Sequence, residues 1–151
     1  MRATARTLLC LIAILLALPA RIAGADQVYP SQHIPLHPVG TAPLMTGFVE
    51  NIHANGPNVY AHEVYVVVGA SPMTYDVTIA VYVQDPACST TPLQIVTAML
   101  TTNAEGSGRA DVFFSPEDAD GLRGASHGAI WSLSVSGAPL YETDCSTIVL
   151  D

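Results

Sequence analysis

Several stretches of the chain place residue types at spacings that chemistry uses, and each makes a demand on the backbone. In TTNAEGSGRADVFF, residues 101–114, two glycines flank a serine as in a phosphate-cradling loop. Such a loop needs a lysine after its last glycine and a helix whose first amides face the anion. Here Gly106-Ser107-Gly108 runs into Arg109 and then into ADVFF, which alternates as a strand does. The stretch is therefore predicted as a hairpin bend: Asn103 and the glycines tolerate positive φ, and Ala110, Val112 and Phe114 begin an inward face. Gly124-Ala125-Ser126-His127-Gly128 matches the G-x-S-x-G nucleophile elbow. That motif requires a strand before the serine, a helix after it, and an acid and then a histidine further on. The only histidine after Ser126 is its neighbour, and GAIWSLSV alternates as a strand, so a loop entering the Trp131 strand is expected instead.

Histidines and carboxylates are weighed in the same way. His33 and His37 have the spacing of two ligands on a helix, but Pro35 between them removes the helix. In an extended segment their rings stand about 13 Å apart, too far to share one ion. His53 and His62 flank the ANGPN turn and are placed to approach each other across a hairpin, yet no third ligand accompanies them. SPEDADGLRG, residues 115–124, gathers Glu117, Asp118 and Asp120 before a glycine. A calcium loop of the EF-hand type would need oxygen ligands where Pro116 and His127 stand, so a solvated turn is expected. No cofactor and no metal site is predicted. Tyr65 and Tyr82 fall opposite the valine faces of their strands, which assigns them to an outer surface where rings stack on a sugar or a partner.

The elements that would position these groups are strands. TYDVTIAVYV, residues 74–83, puts Tyr75, Val77, Ile79, Val81 and Val83 on one face and Asp76, Thr78, Ala80 and Tyr82 on the other. Similar stretches near 44–52, 60–68, 93–101, 109–115, 129–135 and 140–150 are separated by glycine- and proline-rich turns. Their inward residues are predicted as Val64, Val66 and Val68, as Ala110, Val112 and Phe114, and as Ala129, Trp131, Leu133 and Val135. Trp131 is the largest expected core residue, and its indole N–H needs a partner. Seven short strands with a turn signal at each junction predict an all-β, antiparallel sandwich. Residues 26–43, with Pro30, Pro35, Pro38 and Pro43, are expected as an extended lead-in, and residues 44–151 as the sandwich domain.

The pattern T-N-x-x-G-x-G-x-A-x-x-x-F, from Thr102 to Phe114, resembles strand-turn-strand hairpins in the immunoglobulin-like domains of bacterial surface and secreted proteins. That resemblance implies an immunoglobulin-like sandwich architecture. It carries no function with it.

Residues 1–25 have the form of an export signal: Arg2 and Arg6, the apolar run Leu8 to Leu18, and the small-x-small site Ala23-Gly24-Ala25. The chain carries a formal charge of −8, and beyond that segment only Arg109 and Arg123 oppose 13 carboxylates. Nucleic acid and anionic membranes, which are bound through Lys and Arg, are poor partners for such a chain. Cys88 and Cys145 remain after cleavage and are expected to form a disulfide in an oxidising compartment, closing a loop of about 58 residues. The expectation is a secreted, disulfide-stapled, non-catalytic binding or structural module whose partner is an extracellular protein or glycan. The alternatives are a secreted hydrolase using carboxylates and a calcium- or copper-dependent binding protein.

Overall fold

The computed structural model describes residues 31–53 and 61–149. The leader expected at 1–25 and the ANGPN turn lie outside them. Nine strands form among the described residues: β1 (Ser31–Pro38), β2 (Thr46–His53), β3 (Ala61–Val68), β4 (Thr74–Tyr82), β5 (Leu93–Thr101), β6 (Gly108–Phe114), β7 (Ser126–Val135), β8 (Ala138–Thr143) and β9 (Ser146–Val149). Between β6 and β7 lie a helical turn, α1 (Pro116–Ala119), and a 3-10 turn (Asp120–Leu122). Ser115 caps α1 through a reciprocal box with Asp118, and Pro116 fits the first turn, where its missing N–H costs nothing.

These strands build one nearly closed antiparallel barrel, not two packed sheets. The order is β5-β4-β7-β8-β1-β2-β3-β6, with β9 also paired to β7. The expected immunoglobulin-like sandwich is overturned by β1, which comes from the proline-rich segment predicted as a lead-in. Ser31 to Pro35 pair with β2 from Ile52 to Phe48, and Leu36 to Pro38 then pair with β8 from Thr143 to Tyr141. One strand thus belongs to both halves and joins them into a single sheet. Pro35 and Pro38 stand where one ladder ends or the strand ends, places that tolerate a missing N–H.

β5 and β6 are the two ends of the sheet path. The 102–107 bend between them is therefore not the turn of a paired hairpin but the closing corner of the barrel. Asn103 Oδ1 accepts from the amides of Glu105 and Ser107, and Thr102 Oγ1 accepts from the Met73 amide. Gly106 has φ +76°, and a Cβ there would lie 2.0 Å from the Ala70 carbonyl oxygen. Gly137 has φ +78° with nothing within 4 Å of such a Cβ. Gly106→Ala is expected to cost about 2 kcal/mol and Gly137→Ala about 1, the difference being the close approach rather than the φ they share. Urea midpoints of the two variants measure it.

Inside the barrel Trp131, Tyr75, Tyr141, Leu100, Leu133, Val49, Val67 and Val77 are fully buried. The β4 and β7 faces follow the predicted alternation from Tyr75 to Val81 and from Ala129 to Leu133, while Val83 is exposed. β3 runs in the opposite phase to the expected one. Ala61, Glu63, Tyr65 and Val67 point inward, and Val64, Val66 and Val68 are only half-buried.

Candidate functional site

Register on four neighbouring strands arranges the outward side chains into a grid. On β4, Asp76, Thr78, Ala80 and Tyr82 alternate with the buried Val77, Ile79 and Val81. Thr78 pairs with Val96 of β5 on one side and with Ser132 of β7 on the other, and Ser132 pairs with Glu142 of β8. The next row is Asp76, Ser134 and Pro139, and the row on the other side is Gln94, Ala80 and Ile130. A groove of about 210 Å³ runs over this grid, with Tyr82 at one end and Gly137 at the other. Thr78 and Ser134 are buried in its floor, and the Ser132 and Ser134 hydroxyls are 3.4 Å apart. At standard strand spacings the patch is about 14 Å across and about 20 Å long.

The Tyr82 end is bounded by the β4–β5 loop. Asp85 organises that loop, accepting from the amides of Ala87, Ser89 and Thr90 and from the Ser89 hydroxyl. Desolvation opposes ionisation of Asp85, but the hydrogen bonds from Thr90 and Ser89 outweigh it and hold its pKa below the usual value. Cys88 in this loop is bonded to Cys145 in the β8–β9 turn, as the sequence predicted. Gly128 lies beneath, where a Cβ would stand 2.6 Å from Cys88 Sγ and 2.5 Å from the Asp85 carbonyl oxygen. Only glycine lets the loop sit this close to β7.

Behind the grid, on the inner side of β7, lies a buried polar centre. Trp131 Nε1 donates to Glu63 Oε1 at 2.6 Å, and Tyr65 Oη donates to Glu63 Oε2 at 2.7 Å. Glu63 is 2 % exposed and Tyr65 is fully buried. Burial raises the Glu63 pKa to about 7 against the opposing pull of the two hydrogen bonds, and burial together with the neighbouring carboxyl raises that of Tyr65. Tyr65 was expected on an outer binding surface, and this placement corrects it: its hydroxyl serves the Glu63 carboxyl inside the barrel, and only Tyr82 lines the outer groove. Trp131 has found the partner its indole required. Nothing in the β3 pattern AHEVYVVV announced Glu63 as inward, since apolar residues occupy both of its phases.

The other sequence candidates do not converge. Ser126 is exposed at the start of a strand, with no helix following. The Gln84 amide donates to His127 Nδ1 at 3.0 Å, which leaves Nε2 to donate to the Leu122 carbonyl at 2.9 Å. His127 is thus a buried clamp between two loops and offers Ser126 no base. His33 pairs with Glu50 and His37 with Asp144, on different neighbours. His53 is the register partner of Ala61, and His62 that of Ile52, so the two histidines are not opposed across the hairpin. His62 instead contacts Asp111 and stacks on Phe113 at 4.0 Å. Asp111 is held down to about 2, chiefly by Arg109. In the 115–124 segment Asp118 accepts from the Ser115 amide and hydroxyl, Arg123 pairs with Asp120, and the expected turn is partly helical. Among the described residues no group of three or more His, Cys, Asp or Glu is placed to hold a metal ion.

The groove therefore presents hydroxyls, one amide, two carboxylates and one aromatic ring over a rigid sheet. Hydrogen bonding and ring stacking are what this set can do. Comparison with protein-family models, with curated proteins and with solved structures returned no match.

Proposed function

We propose that this chain is an exported, non-catalytic binding module that takes a short neutral or amino-bearing glycan in the groove over β5, β4, β7 and β8. The observation that carries the reading is the register that sets Tyr82, Gln94, Thr78, Ser132, Asp76 and Glu142 on one face. A sugar offers many hydroxyls to such polar groups and an apolar C–H face to a tyrosine ring. Among the described residues no Lys or Arg lines the groove beside Asp76 and Glu142, so anionic sugars are repelled.

Turnover fits the groove less well. Asp76 and Glu142 lie two strands apart and two residues out of register, a backbone separation of about 12 Å, and no hydrogen bond among the described residues links their carboxyls to each other or to a common partner. The Cys88–Cys145 bond and the signal-like leader support an oxidising compartment outside the cytosol.

Titration against a panel of neutral, amino and uronic oligosaccharides tests the reading. Tyr82→Ala is expected to weaken the best ligand roughly tenfold, with the melting temperature little changed because Tyr82 is half-exposed. Asp76→Asn should retain neutral ligands and raise affinity for uronates. Preference of the unaltered protein for uronates, or indifference to Tyr82→Ala, overturns the proposal, and so does capture of a protein partner at this face.

A further inference from the structure

A second cavity, of about 170 Å³, lies at the seam of the barrel on the inner side of β4. Its walls are Ile79 and Val81 of β4, Ile95 of β5, Phe114 of β6, Leu122 and Ile148, and among the described residues Asp118 is its one charged lining residue. The register makes the seam unusual. Leu93 and Ile95 are the cross-strand partners of Val81 and Ile79, so all four face the barrel interior. Val81 and Ile79 are 3 % and 5 % exposed, yet Leu93 and Ile95 are 59 % and 43 % exposed. Interior-facing apolar side chains on β5 are thus exposed, because β5 and β6 are the ends of the sheet path and no strand among the described residues covers the seam here.

Small closed barrels fill their mouths with side chains or with one small ligand. Apolar cavities of about this size take molecules such as benzene. The rim chooses the head group. Asp118 is held below the usual carboxylate range, chiefly by the Ser115 amide and hydroxyl, and is anionic at neutral pH. A fatty-acid carboxylate would meet this charge and the net negative charge of the chain. A protonated amine is attracted by the same charge, and a hydroxyl can donate to the carboxylate.

We propose that the seam is a binding site for a small amphiphile, whose short apolar tail enters between Ile95 and Phe114 and whose amine or hydroxyl head remains at Asp118. The site lies on the opposite face of β4 from the glycan groove and does not depend on that reading.

Calorimetric titration of the whole protein with n-hexylamine, n-hexanol and hexanoate provides the test. Saturable binding is expected for the amine and the alcohol, with hexanoate weaker than the amine by roughly tenfold. Butylamine should bind roughly tenfold more weakly than hexylamine, since two buried methylenes are lost. Ile95→Trp fills the cavity from its exposed wall and should abolish binding with no loss of thermal stability. Asp118→Asn keeps an acceptor for Ser115 and should erase the preference for amine over carboxylate while retaining hexanol. Tyr82→Ala should leave all of these values unchanged. Absence of saturable binding for all three probes, binding that survives Ile95→Trp, or a preference for hexanoate overturns the proposal. Concentration-dependent dimerisation that buries Leu93 and Ile95 in the unliganded protein does so as well.

Discussion

Between pH 4.5 and pH 7 the unfolding free energy falls by about 3 kcal/mol, and Glu63→Gln removes that fall. The Glu63 pKa is raised from 4.5 to about 7, so within this window the folded chain keeps a proton that the unfolded chain has released. Stability from this group is complete below pH 4.5, is lost as pH rises through the folded pKa, and is level above it. Desolvation is the main cause, because the carboxyl sits inside the barrel between Asn51 of β2 and Val112 of β6, its register partners. In the protonated form the carboxyl keeps one oxygen as acceptor for the Trp131 indole and turns its proton toward Tyr65 Oη, the same two partners it has when ionised. Glutamine reproduces this arrangement: its oxygen accepts from Trp131 and its amide donates to Tyr65, with no charge at any pH. Glu63→Leu instead strands both the indole N–H and the phenol, and is expected to cost about 2–4 kcal/mol at every pH. Denaturant unfolding of the unaltered protein and Glu63→Gln at four pH values from 4.5 to 7.5 separates Glu63 from the other carboxylates. Asp111, held down to about 2, contributes stability that is lost only at lower pH, and it does so equally in both proteins. Parallel pH profiles for the two proteins would remove Glu63 as the source of the slope.

Glu63 also shows where reading the chain by periodicity stops. In TYDVTIAVYV one phase is wholly apolar and the other carries Asp76 and Thr78, so burial alone selects the face, and β4 forms as expected. In AHEVYVVV the valines favour the wrong phase. The deciding contacts come from Trp131, 68 residues away, which supplies the donor that lets a carboxyl be inward. The barrel was hidden for a related reason. Four prolines between residues 26 and 43 mark an absence of helix, but the local pattern does not say that Leu36 will meet Thr143 or that Ile34 will meet Val49. Closure is a property of long-range pairing.

The groove was half legible by the same logic. Polar alternation along β4 and β7 shows Asp76, Thr78, Ser132 and Ser134 as outward, and Tyr82 with them. That β4 lies between β5 and β7, bringing Gln94 and Glu142 to the same face, is a matter of sheet order. The capped turn at Ser115-Pro116-Glu117-Asp118 was readable in full, since Ser at the cap, Pro at the first helical position and an acid three residues after the cap are a helix start. Its glycine and its cluster of acids drew the reading toward a turn.

Breaking the Cys88–Cys145 bond is expected to cost about 4 kcal/mol, lowering the melting temperature by roughly 15 °C. The bond spans a sequence separation of 57 and ties the β4–β5 loop to the β8–β9 turn, two segments that no strand ladder among the described residues joins. Without it the unfolded chain regains the freedom of a long loop, which is the larger part of the loss. A second consequence falls on the folded state. Cys88 has φ +53°, a region that costs a non-glycine residue about 1–2 kcal/mol, and it is held there over Gly128 by the bond and by the Asp85 hydrogen bonds. Once freed, this loop should open before the barrel does, and because it follows Tyr82 and precedes Gln94, ligand affinity in the outer groove should fall at temperatures where the barrel is still folded. Calorimetric scans of the Cys88→Ala/Cys145→Ala double variant, and of the unaltered protein with and without reductant, provide the measurement. Reduction should bring the unaltered protein to the melting temperature of the variant and leave the variant unchanged. A shift below roughly 5 °C would mean that the Asp85 network alone fixes the loop, with the disulfide adding little to either stability or the groove.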